Sequence, residues 1–125
     1  MNLLIRLVRT SIGRWVISWI ITNMSFTIPV QRLRDTKTLM AFHHPQPSYP
    51  FHVVIIPQKA IACLEEFDPS DTAFLVDLFT SVQIIVVEHA LGENGYRLIV
   101  NSGKFQDFPH LHFHLVSDEK GHNSS

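Results

Sequence analysis

The chain of 125 residues holds a single cysteine, Cys63. One thiol excludes an internal disulfide and any zinc site built on paired cysteines. It favours a reducing, cytoplasmic setting. Charge is also scarce: Asp, Glu, Lys and Arg make up 17% of the residues, and the formal net charge is −1. No global field therefore draws nucleic acid, and none is expected as a partner. No internal repeat or low-complexity tract occurs. Apolar residues make up 46% of the chain, which fits one globular domain with its own core.

No apolar run is long enough to span a bilayer. The longest candidate, Trp15–Ile21, is too short, and Arg14 interrupts the pattern before it. Over residues 1–24 the spacing is helical instead. Leu4, Leu7, Val8, Ile12, Trp15, Val16, Trp19 and Ile20 recur at steps of three or four, with Arg6, Arg9, Gly13 and Arg14 largely opposite. The favoured reading is an amphipathic helix packed on the domain or on a second subunit. An interfacial membrane helix, basic and carrying two Trp, is the less favoured alternative. A signal peptide lacks an evident small-residue cleavage site.

Further along, Ser25–Arg34 is ambiguous, with Pro29 as a breaker, and Thr36–His43 reads as a strand. His44–Pro50 is a proline-rich loop. Phe51–Ile56 is apolar on both faces, as in a central strand. Asp68 reads as a helix N-cap, with Pro69 in the first turn and Asp71 at the capping-box position. Phe74, Leu75, Leu78, Phe79, Val82, Ile85, Val86 and Ala90 then form one stripe, and Gly92 is the expected stop. Asn94-Gly95 makes a turn into a strand over Tyr96–Val100. The expectation is an α+β domain over residues 25–117: an antiparallel sheet of about five strands with two helices, followed by a polar, disordered tail at 118–125.

The most informative stretch is Phe108-Pro109-His110-Leu111-His112-Phe113-His114-Leu115-Val116. Read as a strand, it puts His110, His112 and His114 on one face at steps of roughly 7 Å, and Leu111, Phe113 and Leu115 on the other. Three imidazoles in alternation are poor core filling. They suit metal binding or nucleophilic chemistry on a phosphate. Along one strand they span too far to ligate one ion easily, and carboxylates nearby are few, so the phosphate reading is preferred and no metal is assigned.

These residues resemble the signature of the histidine triad (HIT) family. The resemblance extends to Met40-Ala41-Phe42-His43, to Phe51-His52 through Pro57-Gln58-Lys59, to Gly95–Asn101 and to Gln106. In all it spans roughly Pro29 to Val116. It implies a HIT-like fold, a homodimer, no cofactor, and a nucleotide substrate carrying a phosphoramidate or phosphoanhydride. By this resemblance His112 attacks the α-phosphorus and forms a nucleotidyl-histidine intermediate. His110 and His114 flank it, His52 stands near the site, and Asn101 and Gln106 contact phosphate or leaving group. Phe42 could flank a base.

The departures are specific. Where the family often has an acid that holds the ribose hydroxyls, this chain has His44. Where many members have a serine that assists the leaving group, it has Asp107. A carboxylate there repels a phosphate unless it is protonated, in which case it can donate that proton. These two residues motivate an alternative, a non-catalytic HIT-fold module that binds a nucleotide or a protein; a metal-dependent hydrolase is the least favoured reading.

Overall fold

The computed structural model describes residues 32–121. The amphipathic segment 1–24 lies outside the described residues, as does the end of the tail. Five strands form one antiparallel sheet: β1 (Arg32–Asp35), β2 (Leu39–His43), β3 (Phe51–Pro57), β4 (Arg97–Val100) and β5 (Phe113–Ser117), in the order β1-β2-β3-β5-β4. One main helix, α1 (Thr72–Glu88), connects β3 to β4. This is the expected α+β architecture. Among the described residues no helix is long and apolar enough to cross a membrane.

Strand alternation sorts the side chains into two layers. Leu39 and Ala41, then Phe51, Val53 and Ile55, then Phe113 and Leu115 pack with Phe74, Leu78, Val82, Ile85 and Val86 of α1 in a single core. Met40, Phe42, Val54, Ile56 and Val116 are buried on the opposite face. β2 and β3 are thus apolar on both sides, as the sequence of Phe51–Ile56 suggested. The face away from α1 also carries His52 and His114.

β1 comes from the ambiguous segment, and polar contacts explain its place. Arg34 Nε donates to Ser81 Oγ at 2.6 Å, and its guanidinium lies 3.7 Å from Asp77. The hydroxyls of Thr36 and Thr38 both donate to the same Asp77 carboxylate. Burial alone would raise the proton affinity of Asp77, but these hydroxyls and Arg34 outweigh it and hold the carboxyl below its ordinary value. The β1–β2 hairpin is thereby pinned to α1.

Both helix ends differ from expectation. The N-cap is Asp71, whose carboxylate accepts from Phe74 N at 3.2 Å. Asp68 closes a turn just upstream, accepting from Ser70 N and Oγ at 2.9 and 2.8 Å. At the other end the stop is Ala90 rather than Gly92. Ala90 takes φ 53°, its N–H donates to Val87 O, and Leu91 N–H donates to Val86 O at 3.0 Å. These two bonds are a Schellman closure with alanine where glycine is usual. A Cβ in left-handed backbone is unfavourable. Ala90→Gly should therefore raise stability by about 1 kcal/mol, read as a higher urea midpoint at unchanged slope.

The histidine stretch is the largest correction. β5 starts at Phe113, so only His114 of the three histidines lies in a strand. Pro109 has no N–H, and His110 N–H turns back to Phe108 O at 2.8 Å. Leu111 N–H donates to Ile61 O at 2.7 Å, in the segment after β3. The backbone donors of His110 and Leu111 are therefore used outside the ladder.

Candidate active site

His52 on β3 and His114 on β5 are brought together by register. Val54 pairs with His114 and His52 with Val116, so the two histidines are diagonal neighbours on one face of adjacent strands. Their rings meet, with His52 Nε2 at 2.8 Å from His114 Nδ1. The direction of that bond is fixed from one end. Ser48 N–H donates to His52 Nδ1 at 3.1 Å, so His52 carries its proton on Nε2 and donates it to His114. His114 in turn carries its proton on Nε2. Burial and neighbouring imidazoles lower both groups, His52 to about 3 and His114 to about 4, so both rings are neutral near pH 7.

His112 is 6% exposed and stands beside His114, with ring centroids 4.9 Å apart. Its Nδ1 is 2.7 Å from the carbonyl oxygen of His110, a partner that can only accept. Nδ1 therefore holds the proton, and Nε2 presents the lone pair of the neutral ring. Asp107 Oδ1 lies 3.6 Å from that Nε2, and the Asp107 side chain is 74% exposed.

His110 plays a different part from the one the resemblance implies. It is fully buried, and its Nε2 faces Pro57 O at 3.4 Å. Burial holds its proton affinity below the ordinary value. What it gives His112 is its backbone carbonyl; its ring does not flank an open phosphate site.

Gln106 also departs from expectation. Its amide Nε2 donates to Ala62 O at 2.7 Å and to Phe108 O at 3.0 Å. Both amide hydrogens are spent on holding the loop before the histidines, leaving no donor for phosphate. Phe42 is 2% exposed, so its ring fills the interior and offers no open surface to a base. Asn101 follows β4 directly, one residue beyond the Val100–Phe113 pair that ends the ladder.

His44 belongs to the cluster. Its Nδ1 accepts from Gln46 N–H at 3.0 Å, and its ring lies against His52 with centroids 4.4 Å apart. It is also 6.2 Å from the His114 ring, stacked. Burial lowers its proton affinity, Asp107 raises it, and His112 lowers it again. Sequence reading missed two partners, the Ser48 amide and the Ile61 carbonyl, because backbone groups leave no residue-type signal. Among the described residues no three His, Cys, Asp or Glu side chains converge on a metal-sized point.

Comparison with known proteins shows the family and the fold. The HIT domain family matches residues 25–121. A 13.2 kDa HIT-like protein of Azospirillum brasilense is 31% identical over 96 residues, covering 74% of this chain and 79% of the relative. The asymmetrical bis(5'-nucleosyl)-tetraphosphatase of Schizosaccharomyces pombe is 33% identical over 99 residues, covering 76% of this chain and 53% of that enzyme. Among solved structures, a HIT family hydrolase from Clostridium thermocellum superposes with a TM-score of 0.67 at 31% identity, covering 82% of this chain and 88% of that one. A HIT family hydrolase from Legionella pneumophila gives 0.67 at 29%, covering 74% and 85%. The chain belongs to the HIT family, and its similar solved members include hydrolases.

The neutral histidines have a consequence for stability. The unfolded chain protonates His52 and His114 near 6.5, whereas the folded chain resists until about 3 and about 4. Below 6.5 the unfolded state binds more protons, so stability falls with falling pH and is fully present only above that value. Urea midpoints should drop between pH 7 and pH 4.5, and His52→Gln should flatten the dependence. A midpoint that stayed constant over this window would contradict the neutral assignment.

Proposed function

We propose that this protein is a nucleotidyl hydrolase or transferase. It acts at the α-phosphorus of a nucleotide conjugate, a phosphoramidate or a dinucleoside polyphosphate, through a nucleotidyl-histidine intermediate on His112. The observation that carries the reading is the His112 Nδ1 bond to the His110 carbonyl. An imidazole is a nucleophile only through an unprotonated nitrogen, and this bond makes Nε2 that nitrogen. His114, with its proton on Nε2, supplies a neutral hydrogen-bond donor beside the nucleophile, suited to the charge that develops on phosphoryl oxygen. Asn101, one residue past the end of β4, is the second candidate donor. The likeness to a tetraphosphatase and to HIT hydrolases supports the reaction class.

His112→Ala should abolish AMP release from adenosine 5′-phosphoramidate while leaving the circular-dichroism spectrum unchanged. Retention of wild-type turnover would remove His112 from the mechanism.

The alternative, a nucleotide- or protein-binding module without turnover, draws on His44, whose ring occupies the space against His52. Nucleotide binding by a wild-type chain that turns over no conjugate would favour it. A reducing, cytoplasmic setting is part of the main reading, supported by the lone Cys63.

A homodimer is also part of it. Val76, Phe79 and Val87 are exposed on the outer side of α1, and β4 is an edge strand. An apolar helix stripe of this kind is a natural surface for a second copy. Light scattering should return twice the chain mass, and Phe79→Asp with Val87→Asp should reduce it to the single-chain value.

A further inference from the structure

We propose that His43 and His89 form a binding site for a divalent transition-metal ion of the zinc and copper type, on the face of the sheet opposite the candidate active site. The two imidazoles are the protein ligands, and water completes the shell.

The fold brings the pair together. His43 is the last residue of β2 and alternates with Leu39 and Ala41, the β2 residues that pack against α1. His89 is the C-cap of α1. The end of a strand and the end of a helix thus meet, with the two rings 6.3 Å apart between centroids and at 79° to each other. Phe51, itself buried, backs both rings, at 5.9 Å from His43 and 5.1 Å from His89. His52 and His114 lie on the other face, so the sheet separates the two groups of histidines.

His89 is prepared as a ligand. Its Nδ1 is 3.0 Å from the Ile85 carbonyl oxygen, which can only accept, so Nδ1 carries the proton and Nε2 the lone pair. Metal-bound histidines commonly have this arrangement, the second nitrogen donating to a carbonyl that fixes the tautomer and orients the ring. Gly121 restrains the same side chain from outside. A Cβ at Gly121 would come 2.9 Å from His89 Cβ and 3.0 Å from both His89 O and Leu91 Cδ2. Among the described residues no hydrogen bond engages the His43 ring, which meets Phe51 and His89 edge-on. Burial first, and then His89, lowers the proton affinity of His43, so its ring keeps a lone pair at neutral pH.

The spacing suits one ion. Zinc holds an imidazole nitrogen at about 2 Å, so two rings in tetrahedral ligation stand with their centroids about 5 Å apart. Rotation of the half-buried His43 side chain, moving its ring by about 1 Å, reaches that separation while His89 keeps its carbonyl bond. Imidazole favours borderline metals, whereas Mg2+ and Ca2+ take oxygen ligands, and neither ligand here is a carboxylate. An ion held by both residues ties the end of β2 to the end of α1 and so stabilises the folded chain by mass action.

The test follows each ring separately. Full-length protein freed of metal by a chelator is titrated with Zn2+ near pH 7.5, and the histidine ring nitrogens are observed by two-dimensional NMR. The His43 and His89 signals should shift together and saturate at one ion, and Mg2+ should leave them unmoved. His43→Gln and His89→Gln should each weaken this binding about tenfold or more and reduce the rise in urea midpoint that Zn2+ gives the wild type. The ring shifts are read on the wild type, so the test stands even where a variant fails to fold. Shifts confined to His44, His52, His112 and His114, or an unchanged affinity in either variant, would overturn the site.

Discussion

The hydrogen bond between His112 Nδ1 and the His110 carbonyl is the contact on which the candidate site depends. A neutral imidazole has one donor and one acceptor, and its chemistry is decided by which is which. A carbonyl cannot donate, so this contact fixes the polarity of the ring with an uncharged partner. A carboxylate at Nδ1 would do the same but would bring a negative charge beside an incoming phosphate. The backbone solution costs nothing in charge. It needs only that the backbone between them bring the His110 carbonyl and the His112 ring within 2.7 Å.

A second chain of imidazoles is polarised in the same way. The Ser48 amide sets His52, His52 sets His114, and no ionised group takes part in the sequence. The strand register makes this reachable, because diagonal neighbours on one face of an antiparallel pair lie close enough for two rings to bridge. The proline-rich loop then matters for its backbone rather than its side chains, since it delivers the Ser48 and Gln46 amides to His52 and His44. Burial keeps the linked rings neutral, and neutrality lets each serve as donor on one side and acceptor on the other.

Much of this was legible in the sequence. A run apolar on both faces identified β3, alternation identified β5, and the helical stripe identified α1, because those patterns record burial. The failures share one physical cause, which is competition for backbone donors. Asp68 and Asp71 are both acids near a helix start, and nothing in residue type says which one reaches Phe74 N–H. Gly92 was the natural stop, yet Ala90 takes the left-handed position because the Val86 and Val87 carbonyls are satisfied there. His110 and His112 look like strand residues by period, but the Ile61 carbonyl captures Leu111 N–H and the ladder begins only at Phe113. Gln106 was read as a phosphate contact by resemblance, and its amide is consumed by Ala62 and Phe108. A family pattern carries residue types across; it does not carry across which carbonyl lies nearby.

That early end of the ladder also bears on the two unusual residues. With His112 outside the strand, the exposed Asp107 of the preceding loop stands 3.6 Å from its Nε2. His44 meets the cluster from the β2–β3 loop and is held by Gln46 N–H, so its neutral ring presents a proton on Nε2 where an acid would present two acceptors. An acid at that position would put a second negative charge near Asp107 and the incoming phosphate. An uncharged His44 avoids this. The exchange of acid for histidine at one edge of the site and of hydroxyl for acid at the other therefore compensate electrostatically: the carboxylate beside the cluster is that of Asp107, 3.6 Å from His112 Nε2.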